Sequence, residues 1–334
     1  MPLASSRPSA RVLDRHPSNP ILHPRRMPFP CAGVYNSGVV KTAGGDYIMA
    51  SRVEEPSKRH YAWISRSRDG VQFTPDAEPL RVRCDAAQQA EFDDATKIAP
   101  PGLGTWWDPR LNPLEGEHYL TYAAVSKSGC RIGLARLARD FRSAQHVSFP
   151  HHIQNRNAVL FPEKIGGLYW MLHRPQHPNG GGSIWISASP DLHFWGQTRP
   201  VAHPHRFWEH KKIGPAAPPI RTAEGWLIVY HGVFPHCNGV NYAAGAMLLD
   251  LEQPWRVVAR GAHPILWVEE PYEMVGQVPN VIFPGAVIPE SDGSVKVYYG
   301  GADYVQCLAT GTLADLLAAA RASDGADTNG NGSA

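Results

Sequence analysis

Apolar positions in this chain fall into short runs that alternate with small or polar residues, each run following a turn and ending on a polar side chain. Three runs, Tyr47-Ile-Met-Ala-Ser-Arg52, Tyr169-Trp-Met-Leu-His-Arg174 and Trp226-Leu-Ile-Val-Tyr-His231, place a basic residue five positions after the leading aromatic. Weaker copies lie around Tyr119 and Tyr122 and from Val297 to Asp303. Period-two alternation bounded by Gly-Gly, Asp-Gly and Pro-rich turns predicts strands. A strand-bearing unit recurring at roughly 50 to 70 residues predicts an all-β fold, a five-bladed β-propeller. In such a ring, equivalent strand ends converge on the axis, so the basic residues are expected to share one central pocket. Ser65 to Gly70 and Ser187 to Trp195 read as matching outer hairpins, with Asp69 and Asp191 as turn residues that bond the local backbone. One short helix is expected near the end, Leu313 to Ala322, opened by Thr312 and Asp315 as a capping box and structural in role.

The 334 residues suffice for two average domains, but repeats closed into a ring make one unit, assigned to residues 19–322 between compositionally disordered tails at 1–18 and 323–334. A net charge of +2 with 19% charged residues gives no global field for nucleic acid or an anionic membrane, so strong positive potential has to be local. The N-terminal stretch lacks the apolar segment of a secretory signal, and no apolar run approaches the roughly 20 residues of a membrane span. Five scattered cysteines, odd in number and without metal-type spacing, suit a reducing compartment. The expectation is a cytoplasmic protein with neither a nucleic-acid nor a membrane partner; a homo-oligomer is left open.

Asp108, in Trp106-Trp107-Asp108-Pro109-Arg110, and Asn36, in Val34-Tyr35-Asn36-Ser37-Gly38, both stand eleven residues before their unit's aromatic. Equal offsets suggest two side chains that begin inner strands at the axis. On spacing alone, Asp108 reads equally as an Asp-Pro turn residue, and Asn36 more readily as a turn amide. The third and fourth units open with Gln154-Asn155-Arg156-Asn157 and Lys211-Lys212-Ile213-Gly214. Neighbouring blades therefore carry Arg156, Arg174, Lys212 and His231 as four cations among apolar strand residues. Glu163 is placed to neutralise Lys164, but no carboxylate occupies the matching position beside Arg174, Lys212 or His231. Unpaired buried positive charge is expensive, which points to a ligand as the missing counter-ion.

Guanidinium forks and an ammonium match phosphate, each contact at about 4 Å giving on the order of 4 kcal/mol at an effective dielectric near 20, before desolvation. Neither glycine-rich nucleotide motif is present, so a bare anion fits better than a nucleotide. His203, His205 and His210 lack a carboxylate or cysteine at ligand spacing and read as a polar loop; no metal or other cofactor is expected. Trp106, Trp107, Trp185, Trp195 and Trp208 read as blade core, with one or two near Asp108 placed to stack on a sugar ring.

At these residues the chain resembles glycoside hydrolase family 130, the inverting β-mannoside phosphorylases and related mannosidases, over about residues 19 to 320. The resemblance is carried by Met27-Pro-Phe-Pro, Tyr35-Asn36-Ser37-Gly38, Arg52-Val53-Glu54, Trp107-Asp108-Pro109-Arg110, Asn155-Arg156-Asn157 and Leu160 to Lys164. It continues through His173-Arg174-Pro175, Lys212-Ile213-Gly214, Tyr230-His231-Gly232, Gln277 to Pro284, and Tyr299 to Asp303. It implies Asp108 as proton donor, Arg156, Arg174, Lys212 and His231 as a phosphate clamp, and Asn36, Ser37, Arg52 and Asp303 around the non-reducing mannose. The implied reaction uses inorganic phosphate as co-substrate, attacking C1 of a β-mannoside to give α-mannose 1-phosphate and a shortened sugar. In the family the proton is thought to pass through the mannose 3-hydroxyl rather than directly to the leaving oxygen.

An inverting hydrolase needs a second carboxylate. Glu54, Glu55, Glu270 and Asp303 are the candidates if the chain is a mannosidase, and a non-catalytic sugar-binding propeller is the third reading. Retention of the basic set ranks the phosphorylase first. Two departures bear on the acceptor subsite: Trp107 stands where many members are acidic, and Pro215-Ala216-Ala217-Pro218 where the family is Gly-rich. The expected substrate is a β-1,4-mannooligosaccharide or a mannosyl-glucose.

Overall fold

A computed structural model describes residues 11–57, 59–83, 85–87, 107–126, 129–152, 154–237 and 239–322. The first strand, β1 (Asp14–Arg15), belongs to the last blade. Blade 1 comprises β2 (Gly33–Lys41), β3 (Tyr47–Glu54), β4 (His60–Ser67) and β5 (Thr74–Pro75). The strand β6 (Arg81–Arg83) then runs parallel along the outer edge of blade 2, whose meander is β7 (Trp107–Leu114), β8 (Glu117–Ser126), β9 (Gly129–Leu137) and β10 (Ser143–Ser148). Blade 3 holds β11 (Asn155–Leu160), β12 (Tyr169–Pro175), β13 (Ile184–Ser189) and β14 (Gly196–Ala202). Blade 4 holds β15 (Lys212–Pro215), the short β16 (Ile220–Thr222), the long hairpin β17 (Gly225–His236) and β18 (Gly239–Leu249), and β19 (Val257–Arg260). Blade 5 is β20 (Ile282–Pro289), β21 (Ser294–Gly301) and β22 (Val305–Thr312), with β1 on its outer edge. The five-bladed propeller expected from the repeat is the fold.

Its apolar core is divided among the blade interfaces. One buried cluster fills each gap, for example Ile48, Ala50, Leu111 and Leu120 between blades 1 and 2, and Val159, Leu172, Ile228 and Tyr230 between blades 3 and 4. Alternation along each strand sends apolar side chains sideways into these layers and leaves the strand starts around the axis to polar residues. The outer turns repeat as expected. Asp69 Oδ1 accepts from the amides of Val71 and Gln72, and Asp191 Oδ1 from those of His193 and Phe194, all at 2.8 to 2.9 Å. Asp250 supplies a third copy, unforeseen in sequence, with Glu252 and Gln253. A one-turn helix α1 (Pro271–Met274) precedes blade 5, and α2 (Leu313–Arg321) follows it. Thr312 caps α2 by accepting from the Asp315 amide, and Leu316 and Ala320 bury its inner face.

The expected disordered tail to residue 18 is too long. Leu13 is buried and Asp14–Arg15 pairs with Ala309 and Thr310, because the outer edge of blade 5 offers an unpaired strand. Residues 1–10 and 323–334 lie outside the described residues.

The innermost strands of blades 1, 2 and 3 share a further feature. Each slips register near its start, between Tyr35 and Gly38, Trp107 and Arg110, and Arg156 and Val159. Each slip holds a residue with left-handed backbone, Asn36 at φ 52°, Asp108 at φ 51° and Asn157 at φ 60°. Asn and Asp tolerate that conformation better than other side chains, and the bulge turns them out of the strand's alternation toward the axis. Equal sequence offsets for Asn36 and Asp108 thus reflect a repeated bulge.

Arg110 locks the bulges together. It is fully buried and donates only to backbone carbonyls: Nε to Ala216 at 2.6 Å, Nη1 to Asn36, Asp108 and Pro109 at 3.1 to 3.2 Å, and Nη2 to Pro284 at 3.3 Å. One side chain of blade 2 therefore ties blades 1, 4 and 5. Gly285 allows the close approach, since a Cβ there would sit 2.0 Å from the Ser37 carbonyl oxygen. Replacing Arg110 with Met strands buried acceptors from four blades and is expected to destabilise the fold by about 3 kcal/mol or more. A urea midpoint equal to that of the wild type would remove Arg110 from this role.

Candidate active site

The axis opens into a cavity of about 120 Å³ whose walls differ in charge. Blades 1, 2 and 5 supply its acidic half. The Asn36 side-chain amide donates to Asp108 Oδ1 at 2.9 Å and to Asp303 Oδ1 at 3.2 Å, so a single amide joins the two carboxyls. Arg52, at the end of β3, reaches Asp108 Oδ1 at 3.4 Å and bonds the ring of His60 through Nε at 3.1 Å. Its guanidinium lies between the rings of Tyr35 and Trp107, 4.8 and 4.3 Å from their centroids.

These surroundings separate the two acids. Burial pushes the Asp108 carboxyl up, but Arg52, Arg110, the Asn36 hydrogen bond and Arg156 outweigh it and hold the group below the usual range. Asp303 is pushed up to about 6 by burial and by the neighbouring Asp108 charge, with Arg52 opposing. Before ligand binds, Asp108 is therefore ionised, and Asp303, though raised, is mostly ionised at pH 7 and takes up its proton only as the pH falls toward 6.

Blades 3 and 4 supply the basic half. Arg156 on β11 and Arg174 on β12 are direct cross-strand partners, Lys212 begins β15, and His231 on β17 faces Gly214. Glycine is required there, since a Cβ on Gly214 would meet His231 Cε1 at 2.6 Å and Arg174 Cδ at 3.1 Å. Among the described residues, no carboxylate pairs with Arg156, Arg174 or Lys212. Burial, then the charge of Arg156, brings the Arg174 guanidinium down to about 10. Burial, followed by Arg174, Arg156 and Lys211, brings the Lys212 ammonium down to about 7. His231 corrects the four-cation expectation: burial first, then Arg174, Lys212 and Arg110, depress it far enough that the ring is neutral. Buried and without a hydrogen-bond partner among the described residues are Arg156 Nε, Arg174 Nε, both His231 ring nitrogens, Trp107 Nε1 and Asn157 Oδ1, all belonging to cavity-lining residues. A polar ligand with several acceptors fits that set.

Of the residues singled out in sequence, Asn36, Arg52, Asp108, Arg156, Arg174, Lys212, His231 and Asp303 meet at this cavity. Ser37 does not: it is fully buried behind Asn36, donating its hydroxyl to Ser51 at 2.8 Å. Strand alternation turns it away from its neighbour. Glu163 pairs with Arg221 at 3.1 Å rather than with Lys164. Glu54 is held by the Tyr35 hydroxyl outside the cavity, and Glu270 caps α1. Trp208 is core as expected, Trp107 lines the cavity, and Trp106 lies outside the described residues. The sequence reading missed Asn157, Tyr242 and Phe283, which also line the site. Asn157 stands twelve rather than eleven residues before Tyr169, so the equal offset passes over it, and Tyr242 arrives on the long β17–β18 hairpin, which no repeat marks.

A family profile described as beta-1,4-mannooligosaccharide phosphorylase matches residues 31–321. A beta-1,4-mannooligosaccharide phosphorylase of Ruminococcus albus is 35% identical over 311 residues, covering 92% of this chain and 90% of the relative. A 1,2-beta-oligomannan phosphorylase of Thermoanaerobacter sp. is 32% identical over 316 residues, with 91% and 98% covered. Among solved structures, a beta-1,2-mannobiose phosphorylase from Listeria innocua in complex with beta-1,2-mannobiose superposes with a TM-score of 0.77 at 26% identity, covering 92% of this chain and 99% of that one.

The Lys212 shift predicts a pH dependence. The ammonium is present below about pH 7 and lost above it, so the advantage of the wild type over a Lys212→Met variant in binding inorganic phosphate should be largest at pH 6 and shrink as pH rises to 8.5. Titration calorimetry of both proteins at four pH values checks this, the ratio cancelling the second ionisation of phosphate itself. A ratio independent of pH over this range would rule the assignment out.

Proposed function

This chain belongs to glycoside hydrolase family 130, and on that premise we propose that it cleaves β-mannosides with inorganic phosphate, by inversion, releasing α-mannose 1-phosphate. The chain is an enzyme of the mannoside phosphorylase type. The observation that carries the phosphorolytic reading is the unpaired set Arg156, Arg174 and Lys212, lying in the same cavity as Asp108 but on other blades. Phosphate brings its own negative charge as nucleophile, so the protein has only to hold it and offset that charge opposite the leaving group. Guanidinium forks supply directional donors, and neutral His231 adds one donor or acceptor.

In this reading Asn36, Arg52 and Asp303 hold the non-reducing mannose, and Asp108 supplies the proton to the departing oxygen, directly or through a substrate hydroxyl. Arg156 is one of the charges that keep Asp108 ionised. An anion bound to Arg156 offsets that charge and raises the proton affinity of Asp108, so binding of the nucleophile readies the acid. Hydrolysis would need a base on the far wall. Of the four carboxylates considered for it, only Asp303 lines the cavity, and Asn36 ties it to the Asp108 side.

For the linkage, we propose a β-1,4-mannooligosaccharide substrate, supported by the family profile and by the 35% identical relative of that name. Incubation with β-1,4-mannobiose should consume substrate only when phosphate is present, and synthesis from α-mannose 1-phosphate with a panel of acceptors should release phosphate fastest with mannose or its β-1,4 oligomers. Equal turnover in phosphate-free buffer would replace phosphorolysis with hydrolysis. Asp108→Asn should lower kcat by about 10²- to 10⁴-fold while mannoside binding persists. Arg174→Ala should act chiefly on KM for phosphate, raising it at least about tenfold, and an unchanged KM would exclude this residue from the clamp.

A further inference from the structure

Blade 3 holds a second polar cluster, outside the cavity. The amide of Asn155 on β11 lies 3.0 Å from Nδ1 of His173 on β12. Nε2 of that ring stands 2.9 Å from Oγ of Ser187 on β13, and the Ser187 hydroxyl is 2.8 Å from Oγ1 of Thr198 on β14. A continuous line of side-chain hydrogen bonds thus crosses all four strands of the blade. His151, in the segment leading into β11, stacks on His173 with ring centroids 4.0 Å apart and brings Nε2 to 3.0 Å from the same hydroxyl. A hydroxyl has one proton and two lone pairs, so three neighbours use the capacity of Ser187 in full. Asn155, His173 and Ser187 are all buried. Burial holds His173 well below its ordinary range and brings His151 down to about 4, so both rings are neutral.

The first two members of this line are sequence neighbours of the two clamp arginines. Alternation sends Asn155 and His173 to the face opposite Arg156 and Arg174. The arginines are directly opposite each other across β11 and β12, where like charges repel, and the ladder between those strands slips register immediately after them. Repulsion is therefore concentrated where the backbone bonding is interrupted. The Asn155 to His173 bond spans the same two strands at that level.

We propose that Asn155, His173, Ser187 and Thr198 are positioning residues for the anion clamp. By fastening β11 to β12, and β12 to the outer strands, they hold two mutually repelling guanidiniums aimed at one anion. The proposal rests on the phosphorylase reading, in which that anion is phosphate.

Ser187→Ala removes the central link without touching an arginine. It should raise KM for phosphate about tenfold, the equivalent of one lost hydrogen bond, with KM for the mannoside and kcat at saturating phosphate unchanged. Calorimetric titration of the same variant with inorganic phosphate should show the same loss. Thr198→Val should give a smaller rise, and Thr198→Ser, which keeps the hydroxyl, should restore the wild-type value. Should His173→Ala not fold, Ser187→Ala decides alone. A wild-type phosphate KM in Ser187→Ala, or a loss shared equally among kcat and both KM values with a lowered melting temperature, overturns the positioning role. Turnover by the wild type without phosphate overturns instead the reading on which it rests.

Discussion

The arrangement at the axis depends on a buried guanidinium that bonds nothing but backbone. Bulges near the starts of the inner strands give up ladder hydrogen bonds, and freed carbonyls in a closed ring have little access to water. Arg110 takes up the carbonyls of Asn36 and Asp108, two of the three left-handed bulge residues, and in the same fork those of Ala216 and Pro284. Burial brings its own pKa down to about 10, with Asp108 opposing, which still leaves it charged at neutral pH. Ring closure and the aim of Asp108 are consequently a single structural fact.

Around that lock the protein keeps charges of opposite sign in one small cavity without letting all of them pair. Arg52 is taken by Asp108 and by two aromatic faces, and Arg110 by carbonyls, so neither is open to a mobile anion. The blade 3 and 4 cations are left, and their affinity for protons is depressed first by burial and then by one another, with no carboxylate paired to them among the described residues. The fold absorbs this strain in blade 3 through neutral polar groups.

Much of this was legible in the sequence. The strand repeat gave the number of blades, and the five-residue offset placed Arg52 and Arg174 near the ends of β3 and β12, whereas His231 lies midway along the longer β17. Equal spacing suggests that Asp108 and Asn36 begin inner strands at the axis, but spacing alone reads Asp108 equally as a turn residue and Asn36 more readily as a turn amide; the shared bulge is what turns both inward. What could not be read was charge state and contact. His231 looks cationic beside a template arginine, and only its burial among Arg174, Lys212 and Arg110 makes it neutral. Ser37 sits next to a cavity residue in sequence and on the other face in space. Tyr242 and Phe283 come from positions that no periodicity distinguishes. The first strand was hidden because Asp14–Arg15 is short and polar and gains its structure from contacts distant in sequence, pairing with β22 nearly 300 residues away and setting Arg15 against Glu269 and Glu273.

That pairing sets an order of assembly. A ribosome delivers β1 before blade 1, yet its partner β22 emerges only after blades 1 to 4, whose hairpins have had time to form locally. Asp303 lies in the β21–β22 turn, and Pro284, which Arg110 needs, is in β20. The acidic half of the cavity and the fastening of the ring are therefore completed together, by blade 5, so that a nascent chain halted before it holds Arg156 and Arg174 but has neither Asp303 nor a closed ring.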